Sequence, residues 1–467
     1  MERGAVADTT APDLEERSAV SLEQFGYRQE LKRSLSLFDL VVYGLVCINF
    51  VAPLTTFGIV FNASRGMVPL VYIVGAIATT FTALSYVYMS RAFPVAGSVY
   101  SYAGRGIGES AGFIAGWMIL LDYFMLPAVG YVVTAVAIES IVPDLPRAVW
   151  VVLFLVFNTT VNLLGIEVTA KWNKVICTIM FATVGLFIVV ALVGLANGVG
   201  GARLSTAPFF NPPEFSFGVI FGALSVAIAA FLGFDAVSTL AEETRGGPRI
   251  VGRATLLALA VASVFMIGES YLASLFALDR DSFPPGQATD GAIYAIALLI
   301  GGAMFQLLMV LGKVIVSGIG GCLVWQLGTA RVLYGMARDG KLPRFLAHVN
   351  PRSHVPDAAI VLVGAINLIF GLALANQLFL LISMVSFGAL TGFLMLHISV
   401  IVHFVVRQKS KDWLRHLIVP LIGIAIVTYV LVNMAVEAKI AGLAWLAFGA
   451  LAVIGLKLTG RRIAMPI

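Results

Sequence analysis

Charge is what this 467-residue sequence has least of. Asp, Glu, Lys and Arg together make up 12% of it, about half the roughly 25% of an ordinary soluble domain. Apolar residues reach 60%, and the mean hydropathy is +0.97. The chain is too apolar to stay solvated as a disordered polymer, and it has too few charges to cover a soluble globule. Cysteine is scarce as well. Cys47, Cys177 and Cys322 lie inside apolar stretches and none belongs to a CxxC pair, which excludes a disulfide framework or a zinc site. No GxxxxGK[ST] or HExxH motif occurs, and no GxSxG motif lies wholly inside a span, so the sequence offers neither ATP hydrolysis nor a common intramembrane hydrolase. The expectation is a non-enzyme without cofactor or metal. A channel would show a repeated pore loop or rings of charge, and neither is evident. The net charge of +5 is spread over helix ends, so no nucleic-acid partner is expected. Residues 1–34 are polar and mixed in charge, with no short apolar run near Met1. They read as a cytoplasmic tail rather than a signal peptide, ahead of one membrane domain over 35–460.

What is present is a series of long apolar segments. Twelve are read, at about 37–61, 68–90, 110–142, 147–165, 173–198, 215–240, 251–278, 302–335, 358–376, 378–406, 414–435 and 440–457. Most approach or exceed the ~20 residues a helix needs to cross a bilayer core. Backbone groups in lipid need internal partners, and these runs lack the alternation of transmembrane strands, so helices are expected. The fold class is an all-α polytopic membrane protein with about 12 transmembrane helices. Lys and Arg set the orientation. Of the 30, 24 fall on the side of the amino terminus and five (Arg65, Arg147, Arg203, Arg280 and Lys439) on the other, while Lys313 lies inside a span. This asymmetry predicts an inner-membrane protein with both termini in the cytoplasm.

Two spans carry helix breakers at mid-depth. The first reads Asn49-Phe50-Val51-Ala52-Pro53-Leu54-Thr55-Thr56-Phe57-Gly58, and the sixth reads Ala230-Phe231-Leu232-Gly233-Phe234-Asp235. Proline removes a backbone donor and glycine eases departure from helical geometry. The breaks are five spans apart, as expected for inverted repeats of helices 1–5 and 6–10. Such paired broken helices point to the midplane site of a transporter. An ordinary kink is the bland alternative for either break alone.

Several stretches resemble the amino acid–polyamine–organocation (APC) transporter family. Phe93-Pro94-Val95-Ala96-Gly97-Ser98-Val99-Tyr100-Ser101-Tyr102 is similar to that family's loop entering helix 3. Ala337-Arg338-Asp339-Gly340-Lys341-Leu342-Pro343, with Val349-Asn350-Pro351-Arg352 and Val355-Pro356, is similar to its loop after helix 8. Phe231-Leu232-Gly233-Phe234-Asp235-Ala236-Val237, running on to Glu242-Glu243-Thr244, resembles helix 6 of the family's bacterial putrescine importers, as does Leu120-Leu121-Asp122-Tyr123 in helix 3. The resemblance covers nearly the whole chain after residue 30. It implies a LeuT-type 5+5 inverted repeat with discontinuous helices 1 and 6 and two further helices, and proton-linked uptake of a small organic solute such as an amino acid or polyamine. Two departures stand out. Amino-acid members carry a Gly-Ser-Gly type turn in helix 1, where this chain has Pro53-Leu54-Thr55-Thr56-Phe57-Gly58. The putrescine importers place an Asp where this chain has Thr55, and Lys313 is an added cation in helix 8.

Ionisable residues inside spans are functional candidates by default. Asp235 reads as an amine partner or coupling carboxylate, or as a cap on the second half-helix. Asp122 and Tyr123 differ by about 100° around their helix, so they do not both face one cavity. The resemblance favours Tyr123 as the substrate contact, with Asp122 left to coupling or to helix–helix hydrogen bonding. Lys313 has three readings: a counter-charge for a substrate carboxylate, a stand-in for a coupling cation, or an internal partner of Glu269, whose depth differs from its own by only ~3 Å at the helical rise. Glu242 and Glu243 are gating candidates or plain interfacial charges. His397 reads as a packing histidine or a titrating one. Phe50, Phe231 and Phe234 flank the breaks and are candidates to stack on a substrate. Ala52, Pro53, Thr55, Thr56 and Gly233 form the broken backbone, and Ser317 lies one turn after Lys313. The expected partners are a small-molecule solute, a proton and membrane lipid, and the expected assembly is a monomer or homodimer. The alternative cargo is a small organic anion with Lys313 as its counter-charge.

Overall fold

The computed structural model describes residues 35–458 apart from 94–97, 166–169, 246–247, 339–341 and 354. The tail expected over 1–34, and parts of the two loop motifs, lie outside the described residues. The described part is helical throughout, with one isolated bridge, Leu35 to Thr244, in place of any sheet.

The first span is built from three pieces, α1 (Leu37–Ile48), α2 (Ala52–Thr55) and α3 (Phe57–Ser64). Ser36 and Asp39 start α1 as a reciprocal cap: the Ser36 hydroxyl accepts from the Asp39 amide at 3.3 Å, and the Asp39 carboxylate accepts from the Ser36 amide at 3.2 Å. Such a box satisfies two otherwise orphaned donors. The second to fifth spans are α4 (Val68–Ala92), α6 (Glu109–Glu139), α7 (Arg147–Leu163) and α8 (Ala170–Ala196), with the short α5 (Ser98–Gly106) before α6. The sixth span is α9 (Phe217–Ala227) followed by two 3-10 stretches, Ile228–Phe231 and Phe234–Glu243. Then come α10 (Pro248–Leu275), the short α11 (Gln287–Asp290), α12 (Ala292–Lys313), a π-helical stretch Val314–Gly321, and α13 (Cys322–Arg338). The chain closes with α14 (Asp357–Ala373), α15 (Leu378–Val400), α16 (Val419–Asn433) and α17 (Val436–Leu458).

Among the described residues, nine helices are long and apolar enough to cross a membrane, and α7 and α14 are shorter apolar helices. With the apolar α17, they correspond one for one to the twelve expected segments. The structure corrects three local expectations. The stretch 91–109, read as loop, contains α5. Part of the loop read before residue 302 is helical too, because α12 begins at Ala292. Gly302 (φ 69°, ψ −173°) separates that part from the eighth span proper, a conformation open to glycine. The eighth span also widens into the π-helix after Lys313, where a regular helix was expected.

The exposed faces are apolar, as in Val152, Val156 and Phe157 of α7 and Met304, Leu308 and Leu311 of α12. Water would not tolerate that arrangement, whereas lipid tails do. The most buried span is α6, which packs against α7, α13, α14, α15 and α17. Pro127 lies inside it. A proline has no N–H for the carbonyl four residues back, and here the Thr329 hydroxyl of α13 donates to that carbonyl, of Tyr123, at 2.9 Å. The last span is fastened to α6 by a reciprocal pair: Trp117 and Trp445 stack at 4.7 Å, and each indole donates to the other's carbonyl at 2.9 Å.

Candidate functional site

The two breaks face one another across a cavity of about 50 Å³. Its walls come from five spans. The first supplies Cys47, Ile48, Asn49, Ala52, Thr55 and Thr56, and the sixth supplies Val226, Ala229, Ala230 and Leu232. Helix α6 gives Leu126, Val129, Gly130 and Val133, the eighth span gives Lys313, Ser317 and Trp325, and α15 gives Ile382 and Val385.

The first break has a local cause. Asn49 ends α1 in the left-handed conformation (φ 53°, ψ 64°), which asparagine tolerates better than other side-chain-bearing residues. Pro53 then starts a new short helix from its favoured first-turn position. The break is tied to the eighth span twice. The Asn49 side-chain amide donates to the Ser317 hydroxyl at 3.1 Å. The Lys313 ammonium donates to the Thr55 hydroxyl at 3.2 Å, and that hydroxyl donates onward to the Ala52 carbonyl at 2.8 Å. The π-helix presents this pairing, since it starts directly after Lys313 and contains Ser317. Such bulges free backbone groups. Here the Gly318 carbonyl accepts from Asn158 of α7 at 2.8 Å.

The second break turns on Gly233 (φ 103°). A Cβ at this position would lie 2.5 Å from the Cys47 carbonyl oxygen, so glycine is required both for the backbone angle and for the close approach of the two broken spans. Gly233→Ala is expected to cost about 1–3 kcal/mol of strain and to abolish transport. A lowered melting temperature together with lost solute flux would show it, and wild-type values for both would refute it.

Several candidate residues stand elsewhere than expected. None of the three phenylalanines lines the cavity. Phe50 packs on Phe181 and Phe265, with ring centroids 4.9 and 5.4 Å apart. Phe231 packs on Tyr72, and Phe234 on Tyr86 and Phe393. Pro53 and Gly233 shape the breaks without lining the cavity. Asp235 follows the second break and is buried, with the hydroxyls of Tyr86 and Tyr123 directed at its carboxylate at 3.4 and 3.5 Å. Tyr123 therefore reaches Asp235 rather than the cavity wall. Asp122 is buried, with Oδ1 lacking a hydrogen-bond partner. Lys313 and Glu269 form no direct ion pair, which corrects the reading of an internal pair: the ammonium goes to Thr55 instead. The side chains of Glu242 and Glu243 lie outside the described residues. His397 is wholly buried between Thr82 and Ser85 of α4, at 3.3 and 2.9 Å, in a packing position.

Sequence reasoning missed Asn49, Cys47, Gly130, Trp325, Ile382 and Val385 as lining residues. Asn49 carried a usable signal, being the polar residue that immediately precedes the break. The others are apolar or small, and nothing distinguishes them from neighbours that face lipid.

The pattern of the amino acid permease family matches residues 36–456, so it takes in both breaks and every cavity-lining residue. The chain belongs to the amino acid permease family. It is 33% identical over 431 residues to the low-affinity putrescine importer PlaP of Escherichia coli K12, covering 90% of this chain and 93% of that protein. It is 27% identical to the branched-chain amino acid permease BcaP of Bacillus subtilis, covering 90% and 92%. It is also 27% identical to the methylthioribose transporter of the same organism, covering 90% and 91%. This permease is thus a multi-pass secondary transporter of a small molecule, and not an enzyme. Its relatives' cargoes span a diamine, amino acids and a thiosugar, so family membership leaves the cargo to the chemistry of the cavity.

Proposed function

We propose that this permease carries a small organic solute through its carboxylate, an amino acid or a short organic acid, by proton-linked alternating access. One observation carries the reading: Lys313 is the one charged side chain among the residues lining the cavity. It is buried, with a neutral hydroxyl as its hydrogen-bond partner. A buried ammonium without a carboxylate in contact costs several kcal/mol, and an incoming carboxylate would remove much of that cost. The remaining polar wall, Asn49, Thr55, Thr56 and Ser317, supplies uncharged groups to orient the cargo. In this reading Ala52, Thr55, Thr56, Lys313 and Ser317 touch substrate. Pro53, Gly233, Phe50, Phe231 and Phe234 shape and support the breaks, and Asp122, Glu269, Glu242 and Glu243 remain the acids open to coupling or gating. The protein works as a monomer or homodimer in the cytoplasmic membrane, with both termini in the cytoplasm. Residues 35–460 form the transporter domain and 1–34 the tail.

A diamine is the second reading. The likeness to a putrescine importer favours it, and so does Asp235 within reach of two tyrosine hydroxyls. Thermal shift of the purified protein separates the two, because a ligand that binds the folded state raises its stability by mass action. The panel is putrescine, L-leucine, L-aspartate, L-lactate and succinate. A shift with one or more of the carboxylates and none with putrescine is expected. A shift with putrescine alone would overturn the carboxylate reading.

A further inference from the structure

Glu269 lies on α10 with no exposed surface, and neither of its carboxylate oxygens has a hydrogen-bond partner. It does not line the cavity. Helix α10 packs against α2, the short piece at the first break. Thr55, in α2, accepts from Lys313 on the cavity side. The next residue, Thr56, meets the Tyr72 hydroxyl at 3.3 Å. Lys313, at Thr55, and Tyr72, at Thr56, are the titratable groups hydrogen-bonded to the first break. Other titratable groups lie on the elements around α10. Asp39 pairs with Lys174, and Arg65 with Glu214. Tyr43 and Cys47 of α1 interact with each other, and Tyr86 of α4 is directed at Asp235. Tyr88 faces His416, while Arg91 lies in the last turn of α4. Cys177 of α8 is buried.

We infer that Glu269 is the proton carrier of this transporter, ionised while the cavity is empty and protonated while a carboxylate occupies it. The inference rests on the proposed role of Lys313 as the substrate's counter-charge. Lys313 is then the one cation serving two anions. With the cavity empty, its charge offsets that of Glu269 across α2. A substrate carboxylate seated against Lys313 takes over that charge, and Glu269 is left as a buried carboxylate with neither cation nor hydrogen bond. An anion in that position costs several kcal/mol. Taking up a proton removes it. The step is a proton transfer alone: a hydronium ion gives its proton to a Glu269 oxygen and becomes water, and the reverse follows on the far side after the solute leaves. One proton accompanies each carboxylate.

The test uses the full chain in proteoliposomes containing pyranine, with labelled L-leucine, L-aspartate, L-lactate and succinate as probes and the outside one pH unit more acidic. At one proton per solute, that gradient supports about tenfold accumulation. Wild type should accumulate a carboxylate toward that limit with proton entry. Glu269→Gln should still exchange internal for external label but should reach only the level seen without a gradient, with no proton entry. Glu269→Asp, which keeps a titratable group, should retain accumulation. Glu269→Gln accumulating a carboxylate as wild type does would overturn the inference while leaving the carboxylate reading intact. Loss of exchange as well as accumulation in both variants would also overturn it, by marking the position as structural. Wild-type transport of putrescine alone would overturn the carboxylate reading and the inference with it.

Discussion

Lys313→Ala should raise the KM for carboxylate solutes roughly 10–100-fold, the equivalent of one charged hydrogen bond or ion contact of about 1.5–3 kcal/mol. The protein should nevertheless melt no lower than wild type. The two halves of this expectation have one cause. In the empty state the ammonium is buried and holds the neutral Thr55 hydroxyl at 3.2 Å. It forms no ion pair within 4.0 Å. Removing it deletes one modest hydrogen bond and takes a charge out of the interior, and Glu269, left without its cation, takes up a proton so that no buried charge is stranded. Thr55 keeps its bond to the Ala52 carbonyl at 2.8 Å, so the first break persists. Lys313→Met, which fills more of the vacated volume, should melt higher than Lys313→Ala. Uptake across a concentration series, together with melting curves of the three proteins, checks the prediction. Unchanged carboxylate affinity would sink the counter-charge role, whereas a drop in melting temperature would make the lysine a structural tie between the first and eighth spans. Asp235→Asn provides the converse. It should leave carboxylate transport near wild type and weaken any amine flux, while equal losses for acids and amines would assign Asp235 to packing with Tyr86 and Tyr123.

The architecture was legible for a physical reason. Hydrocarbon thickness fixes the length of a spanning helix, so twelve apolar runs announce twelve helices. The two breaks were legible because Pro53 and Gly233 are costly inside a helix. Lys313 and Ser317 were legible as a pair because an intramembrane charge is rare and because residues three or four apart share a helix face. Rotation about each helix axis was not legible for apolar residues. In water, an apolar stripe marks the buried face. In lipid, buried and exposed faces are equally apolar, so Phe50, Phe231 and Phe234 gave no sign that they turn away from the cavity, nor did Ile382 and Val385 that they turn toward it. Only polar residues break this degeneracy, and the polar Asn49 beside the break could have been assigned to the wall on that basis. The distance between Lys313 and Glu269 was beyond reach for a related reason. Equal depth along two helices leaves the separation between their axes undetermined, and α2 packs against α10, where Glu269 resides.

Arg147→Ala should destabilise the protein by about 3–5 kcal/mol, the range for removing one partner from a buried ion cluster. Charge counting placed Arg147 among the five basic residues on the far side of the membrane, where a solvated loop charge would be expected. It is instead buried, with 5% of its side chain exposed. Its guanidinium donates to Glu139 at the end of α6 at 2.5 Å, to Asp290 of α11 at 2.6 Å, and to the Ala375 carbonyl beyond α14 at 3.3 Å. Arginine's planar, pre-organised donors hold such a three-way contact in a fixed fork, whereas lysine's three donors radiate from a single point. The cluster also connects to the first span. Asn62 of α3 donates to the Phe283 carbonyl at 2.8 Å and to the Thr289 hydroxyl at 3.2 Å, so the segment holding α11 is tied to the broken first span at one end and to α6, α7 and α14 at the other. Alanine would leave two carboxylates facing each other in a nearly dry site with no cation. Arg147→Lys should fall between wild type and alanine. Adding Glu139→Gln and Asp290→Asn to Arg147→Ala should recover part of the loss, because the penalty resides in the stranded anions rather than in the missing contacts. A triple variant no more stable than Arg147→Ala in melting experiments would locate the cost in lost packing and refute the electrostatic account.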